Sequence, residues 1–180
     1  MINYFPIHIN NLEIIRNKIL KAIAPYISIH KATKNSILFY IPSNKILDID
    51  ELKNQLIQLK LLEYIHGVAI NITYNQGLTN IHKDAGGRFI YSLNIPISGY
   101  TNTYLNYFKS SADPVLYSTP LNQYIMYEKE HCTLIERHET ILPAIVNTQA
   151  PHAFENSNDE PRILIALRLN TKVDSSTWLS

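Results

Sequence analysis

A histidine and an aspartate separated by one residue are the strongest chemical signal in the sequence. They lie in the segment Ile81-His82-Lys83-Asp84, within a predicted β-strand. Side chains two residues apart on a strand project from the same face, so the imidazole of His82 and the carboxylate of Asp84 are expected side by side, with Lys83 pointing away. An imidazole and a carboxylate placed in this way can bind one metal ion.

A second imidazole from a distant strand would complete a three-ligand site. The best candidate is His152, which follows Pro151 close to the end of a predicted strand. Two imidazoles and one carboxylate on one face of an octahedron leave three positions open on non-haem Fe(II). We therefore predict that His82, Asp84 and His152 are metal ligands and catalytic residues.

An arginine follows His152 at a distance of ten residues. Arg162 begins the apolar strand Ile163-Leu164-Ile165-Ala166-Leu167. A guanidinium that enters a dry barrel interior is costly unless it meets an anion, and its planar fork matches a carboxylate. A dicarboxylate co-substrate would supply that anion. Arg168 points the same way from the same strand and competes for this role. Arg88 is a third candidate, and it could instead hold the carboxylate of an amino-acid substrate.

The pattern His82-x-Asp84, His152 and Arg162, together with the segment from Arg88 to Ile97, resembles the Fe(II)/2-oxoglutarate-dependent dioxygenases. Within that family it looks most like small prolyl and aspartyl/asparaginyl hydroxylase-like members. The resemblance covers about residues 72–169 and leaves the N-terminal third without a motif. It implies a jelly-roll barrel in which the two histidines and the aspartate hold iron. It also implies that 2-oxoglutarate chelates this iron through its C1 carboxylate and C2 keto oxygen, while O2 takes the last site.

The resemblance also implies roles for residues around the iron. Arg162 matches the family position that pairs with the C5 carboxylate of 2-oxoglutarate, and Ser92 falls where related enzymes place a hydroxyl donor to the same group. Asn94 and Tyr74 are expected to face the pocket on either side of the metal strand and to contribute to co-substrate binding. Asp84 argues against a halogenating relative, in which a small residue replaces the acid.

The implied activity is hydroxylation of an amino-acid side chain, free or within a peptide. Oxidative decarboxylation of 2-oxoglutarate would give succinate and CO2 as co-products, with ascorbate supporting the iron. The alternative is a cupin-like protein that binds a metal or a small molecule without oxygenase activity. The short N-terminal region, which offers no evident substrate lid, favours this alternative. The sequence identifies neither the substrate nor the oligomeric state.

Two further groups of residues have weaker chemical signals. His131, Cys132, Glu136 and His138 are potential metal ligands, but their spacing fits no closed zinc pattern. Gly86-Gly87 belongs to no phosphate-binding motif and predicts a tight turn. An aromatic run either lines the mouth of the barrel or fills the sandwich. Its members are Tyr100, Tyr104, Tyr107, Phe108, Tyr117, Tyr124 and Tyr127.

Two N-terminal amphipathic helices and a series of short strands must position these residues. Apolar spacing predicts one helix over residues 11–24, ended by Pro25, and a second over 48–64, with a strand at 37–41 between them. Strands are predicted at 68–74, 79–83, 88–95, 103–108, 123–127, 144–147 and 162–169.

This order predicts a mainly β fold with N-terminal helices, namely a double-stranded β-helix (jelly roll, cupin-like). We expect a single domain over residues 1–180. Residues 1–65 would form a helical support, and residues 66–170 would form the jelly-roll core.

Composition restricts the partners and the compartment. The 180 residues are 46% hydrophobic and 17% charged, with 16 Lys and Arg against 15 Asp and Glu, which suits a folded domain of near-neutral charge. No basic run favours nucleic acid or a membrane surface, so a small-molecule or peptide substrate is expected. A single cysteine, the lack of a secretory signal and the lack of a membrane-length apolar stretch predict a soluble cytoplasmic protein.

Overall fold

The computed structural model describes residues 3–27, 36–74, 77–84, 89–118 and 123–170. Its helices are α1 (Leu12–Ile27), α2 (Asn44–Leu47) and α3 (Asp50–Gln58), with single 3-10 turns at Leu62–Tyr64 and Lys129–His131. The strands are β1 (Tyr4–Pro6), β2 (Ser36–Ile41), β3 (Ile65–Thr73), β4 (Gly77–Leu78), β5 (His82–Asp84), β6 (Phe89–Ser98), β7 (Thr103–Ser110), β8 (Val115–Ser118), β9 (Gln123–Met126), β10 (Cys132–Glu139), β11 (Ala144–Asn147), β12 (His152–Asn156) and β13 (Arg162–Asn170).

The strands form two antiparallel sheets. The helix-covered sheet has the order β1-β11-β6-β13-β3-β2, and the second sheet has the order β10-β7-β12-β5-β9-β8, with β4 beside β12. Four central strands of one sheet, β11-β6-β13-β3, face four of the other, β10-β7-β12-β5, and the chain interleaves them. This interleaving is a jelly roll, so the predicted double-stranded β-helix is confirmed.

Alternating side chains divide the interior into two layers. On β13, the apolar residues at odd positions, such as Ile165 and Leu167, pack beneath the helices in a cluster that includes Ile19 and Leu52. The even positions face the space between the sheets, because successive side chains on a strand point to opposite faces. Leu164 belongs to this second layer. The same alternation places Arg162 and Arg168 on the inner face.

The helices differ from the sequence prediction at their ends. α1 continues through Pro25 to Ile27, so the predicted end of this helix at residue 24 is wrong by three residues; Pro25 leaves one backbone hydrogen bond of the last turn unmade. The predicted second helix is divided into α2, α3 and a 3-10 turn. Lys60, with a φ of 54°, ends α3, and the N–H of Leu61 donates to the carbonyl of Leu56 at 2.9 Å. This bond is the Schellman arrangement that closes a helix.

The strands also differ from the prediction. β1, β4, β8, β10 and β12 were not predicted. The first part of the chain adds two edge strands, β1 and β2, to the helix-covered sheet as well as its helices. β6 continues beyond Ile95 through Pro96 to Ser98, because its register against β13 shifts at this point. Such an irregularity tolerates the missing N–H of a proline.

None of the helices in the described ranges has the length and apolar character needed to cross a membrane.

Candidate metal and anion site

One row of side chains crosses the second sheet and contains both predicted histidine ligands. Its members are paired in register across five neighbouring strands, in the order Tyr107, His152, His82, Met126 and Val115. Residues directly opposite each other in antiparallel strands have their side chains on the same face. The imidazole rings of His82 and His152 accordingly lie with their centroids 4.6 Å apart. Asp84, two residues along β5, belongs to the same face.

Both imidazoles are oriented by their own backbone. The Nδ1 atom of His82 lies 2.8 Å from the carbonyl oxygen of Asn80, and that of His152 lies 2.9 Å from the carbonyl oxygen of Ala150. A carbonyl oxygen only accepts, so each Nδ1 donates a proton to its carbonyl, and Nε2 is the ring nitrogen left to face a metal. This is the way in which metal-binding histidines are normally held, with Nε2 as the ligand atom.

The backbone also ties the two metal strands together. The N–H of Asp84 donates to the carbonyl of Thr148 at 2.9 Å, and the side-chain amide of Gln149 donates to the carbonyl of Asp84 at 3.0 Å. Thr148 and Gln149 lie immediately before β12, the strand of His152. These bonds therefore fix the end of β5 against the start of β12, and they hold the three candidate ligands as one unit.

Burial keeps His152 neutral. Its side chain is 5% exposed, and this burial, with the neighbouring His82, lowers the pKa of His152 to about 4. A neutral imidazole is the form that binds a metal.

Asp84 forms an ion pair that the sequence analysis did not predict. Its Oδ2 atom lies 2.5 Å from Nη1 of Arg168, with the two side chains 15% and 9% exposed. Burial alone would raise the pKa of Asp84, but the positive field of Arg168 and its hydrogen bond outweigh burial and hold the pKa below the ordinary value. Asp84 is therefore ionised, as a metal ligand must be.

In the parts of the chain that the structure describes, no three His, Cys, Asp or Glu side chains lie in positions that could hold a metal ion together. The ion pair with Arg168 gives a physical reason, because it draws one oxygen of Asp84 toward β13. The donor set still fits a divalent metal, since it combines two oriented imidazoles with an ionised carboxylate whose other oxygen, Oδ1, can also serve as a ligand. His82, His152 and Asp84 are thus the residues that would hold a metal, with the Asp84 carboxylate turned from Arg168 toward the two imidazoles.

Arg162 is the most unusual group in the interior. Its side chain is 0% exposed, its Cζ atom lies 4.1 Å from the ring centroid of Phe154, and none of its three side-chain nitrogens has a hydrogen-bond partner among the described residues. Burial lowers its pKa to about 9, so the guanidinium is still charged at neutral pH. A buried charge without a partner is costly, and a bound carboxylate would remove that cost.

A small cavity of about 10 Å³, close to the room that one water molecule needs, lies beside Arg162, so a bound carboxylate would have to widen it. Its lining includes Tyr4 and Asn94, with Leu105, Val146 and Leu164 as apolar wall. On the other side of Arg162, the ring of Phe154 lies 6.3 Å from that of His152, measured between centroids. The guanidinium of Arg162 and the imidazole of His152 are thus both neighbours of the Phe154 ring.

The other predicted co-substrate residues have different positions. Asn94 lines the cavity with Arg162, but Ser92 is paired in register with Arg168 and donates its hydroxyl to Oδ1 of Asn94 at 2.9 Å. Ser92 therefore supports Asn94 instead of contacting the Arg162 cavity. Tyr74 follows β3 and packs against the apolar core beneath the helices, so it does not line the cavity as predicted. Arg88, the predicted substrate-binding residue, and Gly86-Gly87 lie outside the described residues.

The second cluster of potential ligands closes the edge of the barrel. His138 stacks on Tyr4 with 4.4 Å between ring centroids, and its Nε2 lies 3.0 Å from Glu136, which accepts a hydrogen bond from Asn3. These contacts join β10 to β1. His131 pairs instead with Glu128 at 3.5 Å, so the four residues do not converge.

The aromatic run is distributed over different surfaces. Tyr107 is fully buried in the interior row, whereas Phe108 and Tyr127 belong to a small cluster with Ile81 and Ala153. Tyr100 and Tyr104 lie beneath the guanidinium groups of Arg16 and Arg137, at 3.9 and 3.6 Å from the ring centroids. The side chains of Tyr117 and Tyr124 lie outside the described part of the chain.

Three residues outside the predicted set lie in or next to the site, and of these only Arg168 was considered, as an alternative to Arg162 for the co-substrate carboxylate. Arg168 contacts Asp84, Tyr4 lines the Arg162 cavity, and Met126 is paired with His82. The signal for Arg168 was its even spacing from Arg162, which places both on one face of β13. Tyr4 had no such signal, because β1 was not predicted. Met126 had none either, because no local pattern shows that β9 lies beside β5.

No protein-family model and no curated protein matches the sequence. Among solved structures, the chain is similar to oxalate decarboxylase from Bacillus subtilis at pH 4.6, with a TM-score of 0.39 and 10% identity over 76% of this chain. A structure from a study of the Mn(II) centres of the same protein gives a TM-score of 0.40 and 10% identity over 79% of this chain. The chain spans 26% and 28% of those two chains. A likeness of this size carries no argument about activity.

Proposed function

We propose that this protein is an Fe(II)- and 2-oxoglutarate-dependent dioxygenase that hydroxylates an amino-acid side chain, free or within a peptide. The observation that carries the proposal is the fully buried guanidinium of Arg162, which has no hydrogen-bond partner among the described residues and lies one aromatic ring away from His152. A barrel that only binds a metal has no use for an uncompensated positive charge at this position. A dicarboxylate that reaches from the metal to Arg162 gives the charge its partner.

In this proposal, each side chain has a distinct task. His82 and His152 would bind iron through Nε2, and Asp84 would bind it through a carboxylate oxygen. Arg162 would bind the far carboxylate of 2-oxoglutarate, with Asn94 beside it, and the apolar wall of the cavity would exclude water. When bound, Fe(II), 2-oxoglutarate and O2 supply the oxygen-transfer chemistry, with succinate and CO2 as co-products. Ascorbate would keep the iron reduced.

The proposed partners are a small-molecule or peptide substrate, and neither nucleic acid nor a membrane. We also propose a reducing compartment such as the cytoplasm, in which ferrous iron persists and the free thiol of Cys132 stays reduced.

A second candidate function is metal binding without oxygenase activity. The ion pair between Asp84 and Arg168 favours it, because a carboxylate engaged by an arginine is a weaker ligand for iron. In this alternative, the two histidines would bind a metal and Arg162 would have no co-substrate.

The test is the visible charge-transfer absorption of Fe(II) and 2-oxoglutarate under anaerobic conditions, which develops only when both are bound to the same iron. We expect the band in the wild type and its loss in His82→Ala. In Arg162→Ala, the concentration of 2-oxoglutarate needed for half of the band should rise at least about tenfold, because a charge-assisted bidentate pair contributes about 1.5–3 kcal/mol.

Arg137→Ala is the matched control, since Arg137 lies at the surface with a side chain that is 45% exposed. It should leave the band unchanged. Iron binding without the band in the wild type would favour the second candidate, and equal effects of Arg162→Ala and Arg137→Ala would contradict the role of Arg162.

A further inference from the structure

We propose that the hairpin formed by β8 and β9 is the substrate platform, and that it binds an uncharged aliphatic or aromatic amino-acid side chain next to the metal. This inference rests on the proposed function, because it specifies the substrate class for the same site.

The first argument is the register of the strands. Met126 of β9 is paired directly with His82, and Val115 of β8 is paired directly with Met126. Direct partners in antiparallel strands share a face. The side chains of Met126 and Val115 therefore continue the row of His152 and His82 beyond the barrel, on the face that carries the candidate metal ligands.

The second argument is the change in exposure along this row. Tyr107 and His152 are buried, His82 and Met126 are half-buried, and Val115 is 62% exposed. Beyond His152 the interior is closed, since Tyr107 is fully buried and its hydroxyl donates to the carbonyl of Asn3 at 2.5 Å. A substrate would thus approach the histidines across Met126 and Val115, opposite to the buried end.

The third argument is the composition of the hairpin. Residues 115–126 contain no Asp, Glu, Lys, Arg or His. An exposed valine beside a half-buried methionine offers an apolar surface, and methionine adapts its shape to different apolar partners. A charged substrate group would lose water here without gaining a partner of opposite charge. The platform therefore selects an aliphatic or aromatic group.

The chain provides a specific probe for this surface. It contains two methionines, Met1 and Met126, so methyl-labelled methionine gives one NMR signal from the platform. Met126→Leu assigns that signal. We would titrate the protein, without iron, with N-acetyl-leucinamide, N-acetyl-phenylalaninamide, N-acetyl-lysinamide and N-acetyl-aspartamide.

Neighbouring residues on opposite faces of β8 give a matched pair of variants. Val115 lies on the platform face, and Leu116 lies on the opposite face with nearly the same exposure, 63%. We expect the two apolar probes to shift the Met126 signal at concentrations at least about tenfold below those of the two charged probes. Val115→Asp should weaken the binding of the apolar probes at least fivefold, and Leu116→Asp should leave it unchanged.

A parallel titration with Mn(II) separates this inference from the proposed function. A paramagnetic ion bound at His82 should broaden the Met126 signal in the wild type, in Val115→Asp and in Leu116→Asp alike. Absence of broadening in the wild type would overturn the proposed metal site. Normal broadening, combined with equal effects of Val115→Asp and Leu116→Asp or with tighter binding of the charged probes, would overturn the platform alone.

Discussion

Arg162 carries a buried positive charge that costs stability in the ligand-free protein. The fold buries a full positive charge beside Phe154, and the described residues offer it no hydrogen-bond acceptor. Unpaired buried polar groups cost about 1–3 kcal/mol, and charged groups cost more. A site that needs a carboxylate retains such a cost until the carboxylate binds.

Arg162→Met tests directly whether this buried charge lowers the stability of the ligand-free protein. The variant keeps the length of the side chain and removes the charge, so the free energy of unfolding of the ligand-free protein should rise by about 1–3 kcal/mol. Added 2-oxoglutarate should raise the midpoint of thermal unfolding of the wild type with Mn(II), and it should leave that of the variant unchanged. A variant less stable than the wild type, yet still stabilised by 2-oxoglutarate, would argue against a carboxylate site at Arg162.

His152 makes stability depend on pH in a defined direction. Burial lowers the pKa of its imidazole from 6.5 to about 4 in the folded protein, so the unfolded chain takes up a proton first as the pH falls. The stabilisation is complete above pH 6.5 and is lost progressively between pH 6.5 and pH 4.

Urea unfolding of the metal-free protein across this range should therefore show a falling free energy of unfolding, by up to about 3 kcal/mol in total. His152→Gln should remove most of this fall, because glutamine does not titrate. An unchanged pH dependence in the variant would assign the effect to other groups.

The shared face of the candidate ligands His82 and Asp84 was predictable from the sequence, because side chains two residues apart on a strand point the same way. The partner of Asp84 was not. Its ion pair joins two residues, Asp84 and Arg168, that are 84 positions apart in the chain. The even spacing of Arg162 and Arg168 on one strand did not show which of the two arginines would contact Asp84.

At the scale of elements, Gly99 fixes the start of β13. It has a φ of 61°, and a Cβ atom built on it would lie 2.3 Å from the carbonyl oxygen of Pro161, which precedes Arg162. The backbone of the turn after β6 thus lies directly against the residue that leads into the arginine. No side chain fits at this contact.

Gly99→Ala should lower the free energy of unfolding by more than about 1 kcal/mol, because both the left-handed φ and the contact with Pro161 exclude a Cβ. It should also weaken 2-oxoglutarate binding, since Arg162 must shift. Gly77→Ala is the matched control, because no atom of the described residues lies within 4 Å of the position that its Cβ would occupy. Equal stability of the two variants by urea unfolding would contradict this account of the turn.

The elements could be predicted where a simple pattern decides their structure. α1 and the buried strand β13 follow from apolar spacing, and β11 has the predicted bounds of 144–147. β10 was missed because exposed and charged residues interrupt its apolar pattern. β12 was missed because His152 and Glu155 interrupt the apolar pattern of that strand. The break after α3 depends on a left-handed lysine, Lys60, which no propensity indicates.

At the scale of the whole molecule, the ion pair between Asp84 and Arg168 connects the two sheets. Asp84 belongs to β5 of the second sheet and Arg168 to β13 of the helix-covered sheet. The pair therefore spans the interior at the candidate metal site. A bound metal ion would provide a second positive partner for the same carboxylate.

Arg168→Gln should accordingly destabilise the metal-free protein by about 3–5 kcal/mol, because Asp84 keeps a buried charge without its partner. Mn(II) should restore part of this loss, so the rise in the midpoint of thermal unfolding on adding Mn(II) should be larger in Arg168→Gln than in the wild type. A smaller rise in the variant would mean that Arg168 assists metal binding instead of substituting for the metal.

The jelly roll as a whole followed from the order of helices and short strands, whereas the position of the β8 and β9 hairpin did not. The hairpin lies beside the site because β9 pairs with β5. No local sequence pattern indicates that these two segments are in contact. Long-range pairing of this kind decides which residues surround the histidines.

The most direct test of the central claim is a crystal structure of the protein with Mn(II) and 2-oxoglutarate, grown without O2. We predict that the metal is bound by Nε2 of His82, Nε2 of His152 and a carboxylate oxygen of Asp84, with 2-oxoglutarate reaching from the metal to the guanidinium of Arg162. A metal bound by other residues, or a metal at these three with the Arg162 cavity unchanged and no 2-oxoglutarate, would contradict the proposed dioxygenase.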